Sequence, residues 1–122
     1  MAKILIAEDN DANMKLMFDI LIASGFEVDK ALDGEDALTK IEQNDYDLLI
    51  LDIQMPKKSG YDVLKETKKE LKVLVVSACA MEKDIALAQN IGCLDYLTKP
   101  IKVFAFLEKV KNKLSINYIL KL

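Results

Sequence analysis

No histidine, arginine or tryptophan occurs among the 122 residues, and all 17 basic side chains are lysine. Without an imidazole, His-based general-base catalysis and His metal ligands are excluded. The two cysteines, Cys79 and Cys93, are too few and too widely spaced for a zinc site and read as reduced structural residues. Net charge is −3, so the chain lacks the basic footprint of a nucleic-acid binder. No apolar run approaches the ~20 residues that span a bilayer. Met1-Ala2-Lys3 passes straight into a strand pattern, not the long apolar core of a secretory signal. The sequence therefore predicts a cytoplasmic protein with neither membrane insertion nor nucleic-acid binding. Glycines number four and prolines two, which leaves no glycine-rich fingerprint, no lysine-containing phosphate loop and no linker. At 52% hydrophobic and 30% charged the composition is that of an ordinary folded chain, and the length suits one domain.

What the sequence does have is a set of short apolar runs, four of which stop on polar residues. Lys3–Ala7 runs into Glu8 and Asp9, Leu48–Leu51 into Asp52, Val73–Val76 into Ser77, and Leu94–Leu97 into Thr98 and Lys99. Such runs, alternating with helical patterns, read as buried parallel strands. The spacing predicts strands at Lys3–Ala7, Glu27–Ala31, Asp47–Asp52, Lys72–Ser77 and Cys93–Thr98. Helices are expected at about Asn13–Ser24, Glu35–Asn44, a stretch ending near Glu70, Lys83–Ile91, and from about Val103 onward. Five strand–helix units with short connections imply an open parallel sheet covered on both faces. In the last helix Val103, Phe106, Leu107, Val110 and Leu114 form one apolar stripe, with Lys109, Lys111 and Lys113 elsewhere. The first helix is apolar on more than one face, through Met14, Leu16, Met17, Phe18, Ile20, Leu21 and Ile22. The excess is either edge burial or a docking surface.

Ligand chemistry in parallel sheets collects beyond the carboxyl ends of the strands. Glu8, Asp9, Asp52, Ser77 and Lys99 should therefore meet. At ~5 Å separations and an effective dielectric near 20, each carboxylate pair repels by ~3 kcal/mol, so three cost ~10 kcal/mol if all are ionised. Such a cluster holds a proton or binds a hard cation, and an oxygen-only donor set points to Mg²⁺. Lys99 and the Ser77 hydroxyl suit phosphoryl oxygens, and the small Ala78 leaves room for such a group. Taken singly, an Asp at a strand end is ordinarily a helix cap and a surface lysine is ordinarily solvated. The joint order of acid pair, Asp, Ser and Lys-Pro along four strands is what carries weight.

With these residues in view the chain resembles the receiver domains of two-component response regulators, the CheY-like superfamily. The match runs over Glu8-Asp9-Asn10, Leu51-Asp52-Ile53-Gln54-Met55-Pro56 with Gly60, Ser77-Ala78, and Tyr96-Leu97-Thr98-Lys99-Pro100. Asn13-Met14-Lys15-Leu16, Ala80-Met81, Gly92-Cys93 and the stretch from Pro100-Ile101 to Phe106-Leu107-Glu108 are similar to single-domain, DivK-type regulators of bacterial cell division. The resemblance implies a flavodoxin-like (βα)5 sheet of strand order 2-1-3-4-5, a receiver domain over residues 1–122 and no output domain.

It also implies a stand-alone signalling protein, not an enzyme beyond self-catalysed phosphorylation and dephosphorylation. Asp52 would accept a phosphoryl group from a sensor histidine kinase or histidine phosphotransfer protein. Asp9 and Asp52 would hold Mg²⁺ directly, Glu8 through water, and the main-chain carbonyl of Gln54 would complete the set. Lys99 would offset phosphoryl charge, with a cis peptide before Pro100 turning it inward. Ser77 and Tyr96 would form the switch that changes contacts with a downstream protein target around Met81, Tyr96, Ile101, Val103 and Phe104. Kinase docking would use Asn13, Met14 and Met17 with the Lys99-Pro100-Ile101 loop. Ser77 stands where threonine is commoner, and the link from Glu70 to Val73 is short and lacks a proline.

Three other functions are compatible with parts of the pattern. A flavodoxin-like cofactor binder is disfavoured by the loop Asp9–Asn13, which is acidic and lacks the small polar, anion-welcoming residues of a phosphate cradle. A phosphatase similar to the haloacid dehalogenases needs a second Asp two residues after the nucleophile, where Gln54 stands. An unphosphorylated, adaptor-like receiver is disfavoured by the intact acids and Lys99.

Overall fold

A computed structural model describes residues 2–78 and 95–120, with side chains through residue 114 in the last helix. Its elements are β1 (Lys3–Ala7), α1 (Asp11–Ala23), β2 (Glu27–Ala31), α2 (Gly34–Gln43), β3 (Leu48–Leu51), α3 (Gly60–Glu66), β4 (Val73–Ser77), β5 (Asp95–Thr98) and α4 (Val103–Leu120). The strands form one parallel sheet in the order β2-β1-β3-β4-β5, as expected for a flavodoxin-like receiver. The helix expected at Lys83–Ile91, the start of the last strand at Cys93, and Met81 lie outside the described residues.

Alternation along the central strands builds two cores. Leu5, Leu49, Leu51 and Val75 face Ala37 and Ile41 of α2 and Val63 of α3. Ile4, Ile6, Leu48, Ile50, Leu74 and Val76 face Met14, Met17 and Leu21 of α1 with Phe106 and Val110 of α4. Every residue of β3 and β4 is buried, whereas the edge strands β2 and β5 are only partly covered. A near-continuous hydrophobic run is what a strand covered on both faces requires.

Three expectations are corrected. The third helix ends at Glu66, not near Glu70: Thr67 turns extended, and Lys69 donates its N–H to the Thr67 hydroxyl and its ammonium to the Asn44 carbonyl. These contacts replace the next helical turn. Lys113 is buried, because it follows Phe106 and Val110 on the sheet-facing side; its ammonium lies 3.9 Å from Asp95. Val103 is 46% exposed and Phe104 87% exposed, so α4 first meets the core at the buried Phe106.

Candidate functional site

Each acid arrives on a rigid strand end. Glu8 follows β1 and gives its N–H to the Ala31 carbonyl; Asp52 follows β3 and gives its N–H to the Ala7 carbonyl. Lys99 follows β5 and gives its N–H to the carbonyl of Ser77, the last residue of β4. The Lys99–Pro100 peptide is cis, as expected. Asn10 ends the acidic turn by accepting the Asn13 N–H at 2.9 Å, which starts α1 two residues earlier than the sequence suggested.

The side chains converge. Lys99 Nζ lies 2.7 Å from Glu8 Oε1 and 3.0 Å from Asp52 Oδ2. The second oxygen of each acid is also engaged: Glu8 Oε2 accepts the Asn10 N–H at 3.2 Å, and Asp52 Oδ1 accepts the Gln54 N–H at 3.1 Å. Glu8 is fully buried and Asp52 nearly so, while Asp9 is exposed at the rim. One oxygen from each of Glu8, Asp9 and Asp52 lies within 4.8 Å of the others.

The electrostatics follow from burial and proximity. Burial first, then the neighbouring Asp52, pushes the Glu8 carboxyl up to about 7, against the lowering pull of Lys99. For Lys99, burial works to lower the pKa, but hydrogen bonds and attraction to Glu8 and Asp52 outweigh it and hold the ammonium above the ordinary lysine value. Lysine thus acts as an internal counter-ion, a role that the sequence did not reveal.

The donor set fits a hard divalent cation. Glu8 Oε1 is buried, and its near cation, the Lys99 ammonium at 2.7 Å, is shared with Asp52. One ammonium leaves two buried carboxylates with net negative charge, which a proton or a further cation offsets. With three carboxylates and no softer donor grouped with them among the described residues, Mg²⁺ suits the site.

Ser77 is buried at the end of β4. Tyr96 is half-buried, packs against the α2–α3 core, and borders a cleft of about 280 Å³ with Gln54, Tyr61 and Ser77. Of the residues assigned to partner contacts, Phe104 and Pro100 are exposed and Asn13 and Ile101 are half-exposed. Met14 and Met17 are not available: at 4% and 1% exposure they pack against the sheet. Burial takes these two side chains out of the expected docking set, and Leu16 and Ile22 are the large exposed apolar side chains of α1.

One contact escaped the sequence. Asp33-Gly34 reads as a turn into a helix, but it also supports the loop after Asp52. Asp33 lies 3.6 Å from the Lys57 ammonium, and Gly34 packs on the main chain of Lys58. A dipeptide signals its local turn; nothing in it encodes a neighbour more than twenty residues away.

Comparison with known proteins agrees with this geometry. A model of the response regulator receiver domain matches residues 4–111. The polar-differentiation response regulator DivK of Brucella ovis is 38% identical over 116 residues, covering 91% of this chain and 94% of that protein. A CheY-like receiver domain protein from Methanospirillum hungatei has a crystal structure that superposes with a TM-score of 0.89 at 30% identity, covering 94% of each chain. The response regulator TrrA of Thermotoga maritima, crystallised with Mg²⁺ and a beryllium fluoride, gives a TM-score of 0.82 at 33% identity, covering 93% of this chain and 99% of that one.

Proposed function

The chain belongs to the response regulator receiver family, and on that footing we propose that Asp52 is its phosphoacceptor. Receiver domains bind Mg²⁺ at an acidic pocket, and the Glu8, Asp9 and Asp52 cluster is its counterpart here. The observation that carries the reading is the meeting of Glu8, Asp52 and Lys99, from three separate strand ends, within 3.0 Å of one ammonium.

In the proposed reaction an Asp52 oxygen attacks the phosphorus of a phosphohistidine on a sensor kinase or phosphotransfer protein. The P–N bond breaks, its electron pair leaves with the donor imidazole, and an aspartyl phosphate results. The Gln54 N–H orients the Asp52 carboxylate. Lys99, fixed as a cation, turns from the acids to the incoming phosphoryl oxygens, and Ser77 donates its hydroxyl to another. Glu8, Asp9, Asp52 and the main-chain carbonyl of Gln54 would hold Mg²⁺, which when bound supplies positive charge facing the transferring group.

Tyr96 borders the same cleft as Ser77, so a movement of the hydroxyl is felt at the aromatic ring. The signal then leaves through phosphorylation-dependent contacts with a downstream protein near Tyr96, Ile101 and Phe104. The protein works in the cytoplasm as a signalling module, with catalysis limited to its own phosphorylation and dephosphorylation.

The test is reaction with acetyl phosphate, read by intact mass and peptide mapping. One phosphoryl group should appear on Asp52, only with Mg²⁺, and be lost in Asp52→Asn. Labelling at the wild-type rate in Asp52→Asn rejects the assignment.

A further inference from the structure

We propose that Gly34, in the first turn of α2 and outside the pocket, is a positioning residue for the loop that follows Asp52. Its φ is not in the left-handed region, so backbone freedom does not explain a glycine there. Room does. A Cβ on Gly34 would stand 2.0 Å from the Lys58 carbonyl oxygen and 2.6 Å from Lys58 Cβ, whereas ordinary contact begins near 3.4 Å. A side chain there requires one of the two segments to move, by about 1 Å if the contact is to become tolerable.

The loop is the side that yields. The start of α2 is pinned: Asp33 accepts the Asp36 N–H at 2.8 Å, Asp36 accepts the Leu32 N–H, and Ala37 and Ile41 are fully buried. At its base the loop is closed on itself, because Gly60 donates its N–H to the Ile53 carbonyl at 2.8 Å. A Cβ at Gly60 would come within 2.5 Å of the Asp52 carbonyl oxygen, so this end has no slack. The far side rests on α2 through Gly34 and through the Lys57–Asp33 ion pair. Lys57 itself is held at φ 67°, a conformation non-glycine residues adopt only when surroundings impose it.

Gln54 lies between these two anchors. Its N–H holds Asp52 Oδ1 at 3.1 Å, and its carbonyl is the one main-chain oxygen assigned to the metal. Pushing Lys58 outward therefore shifts the two successive peptides, Ile53–Gln54 and Gln54–Met55, that carry these groups. Misplacing catalytic atoms by ~1 Å costs on the order of a hundredfold in rate. The inference rests on the assignment of Asp52 as acceptor.

The experiment compares wild type, Gly34→Ala and Asp33→Asn, the last keeping the cap acceptor but not the charge. Mg²⁺ affinity is read by calorimetry, and phosphorylation by acetyl phosphate is resolved into rate and half-saturation with Mg²⁺ in excess. Circular dichroism establishes that each variant is folded at the assay temperature. Gly34→Ala should bind Mg²⁺ about tenfold more weakly and react about ten- to a hundredfold more slowly. Asp33→Asn should lose about two- to threefold in Mg²⁺ affinity, as a half-exposed ion pair allows. A folded Gly34→Ala with wild-type affinity and rate overturns the proposal. If Gly34→Ala does not fold, Asp33→Asn decides: the stated loss supports it and unchanged affinity overturns it. Failure of wild type to gain phosphate on Asp52 strikes the functional reading instead.

Discussion

Lys99 Nζ reaches Asp52 Oδ2 at 3.0 Å over the end of the intervening strand β4, and the same nitrogen sits 2.7 Å from Glu8. One flexible cation is thus shared by two buried acids before any metal or phosphate arrives. The same charge that keeps the pocket foldable competes with Mg²⁺ for the same oxygens.

Lys99→Met separates the two effects. Removing one partner of a buried ion set ordinarily costs about 3–5 kcal/mol, and here protonation of Glu8 relieves part of that loss. The variant should be less stable without metal, bind Mg²⁺ more tightly, and react with acetyl phosphate at least about a hundredfold more slowly, since the transferring group loses its ammonium. Calorimetry and phosphorylation kinetics on one preparation check both directions. Weaker Mg²⁺ binding would show that Lys99 helps hold the metal.

Glu8 supplies a pH dependence with a definite sign. Its carboxyl lies at about 7 in the folded chain, against an ordinary 4.5. A raised carboxylate pKa means that the group favours folding fully below the unfolded value and loses that contribution as pH rises through the folded value. Metal-free protein should accordingly resist urea better at pH 5.5 than at pH 8. Mg²⁺ should reverse the order by requiring the charged form. Its affinity should rise from pH 6 to pH 8, with a fraction of a proton released at pH 7, measured by calorimetry in buffers of different ionisation enthalpy. Equal affinity across that range contradicts the shift.

Much of this was legible from the chain, and the misses share a cause. Strand ends are one-dimensional signals: Leu48–Leu51 must be buried on both faces, so Asp52 has to emerge at the sheet's carboxyl edge. Helix faces are harder. Met14 and Met17 have the same composition signal as Leu16, and only packing against Ile4, Ile6 and Leu74 decides which are hidden. Lys113 looked solvated because lysine ordinarily is, yet Asp95 and the Phe106–Val110 face draw it inward. The support of the Asp52 loop by Gly34 is tertiary throughout and has no local signature.

Lys57→Gly tests whether the loop stores strain. Glycine relieves a left-handed conformation worth about 1–2 kcal/mol to a lysine, while unfolded-chain entropy takes back about 0.5–1 kcal/mol. Stability in urea should therefore rise by up to about 1 kcal/mol, even with the half-exposed Asp33 pair gone. Phosphorylation by acetyl phosphate should slow, because the loop is freer. A rate that rises together with stability would show the strain to be incidental.

Docking is best tested on the exposed side of α1. Met14→Glu, the substitution that the sequence pattern would suggest, places a charge where a side chain is 4% exposed, and should damage the fold and every activity alike. Leu16 is 37% exposed on the same helix. Leu16→Glu should leave urea stability within about 0.5 kcal/mol of wild type. It should also leave phosphorylation by acetyl phosphate intact, because Asp52 and Lys99 are untouched. Transfer from a histidine kinase should fall, since docking an apolar helix face on a partner does not tolerate a new unpaired charge. A kinase panel assayed beside acetyl phosphate provides the comparison; parallel loss with both donors would place the defect in the pocket, and no loss with either would move kinase recognition off this helix.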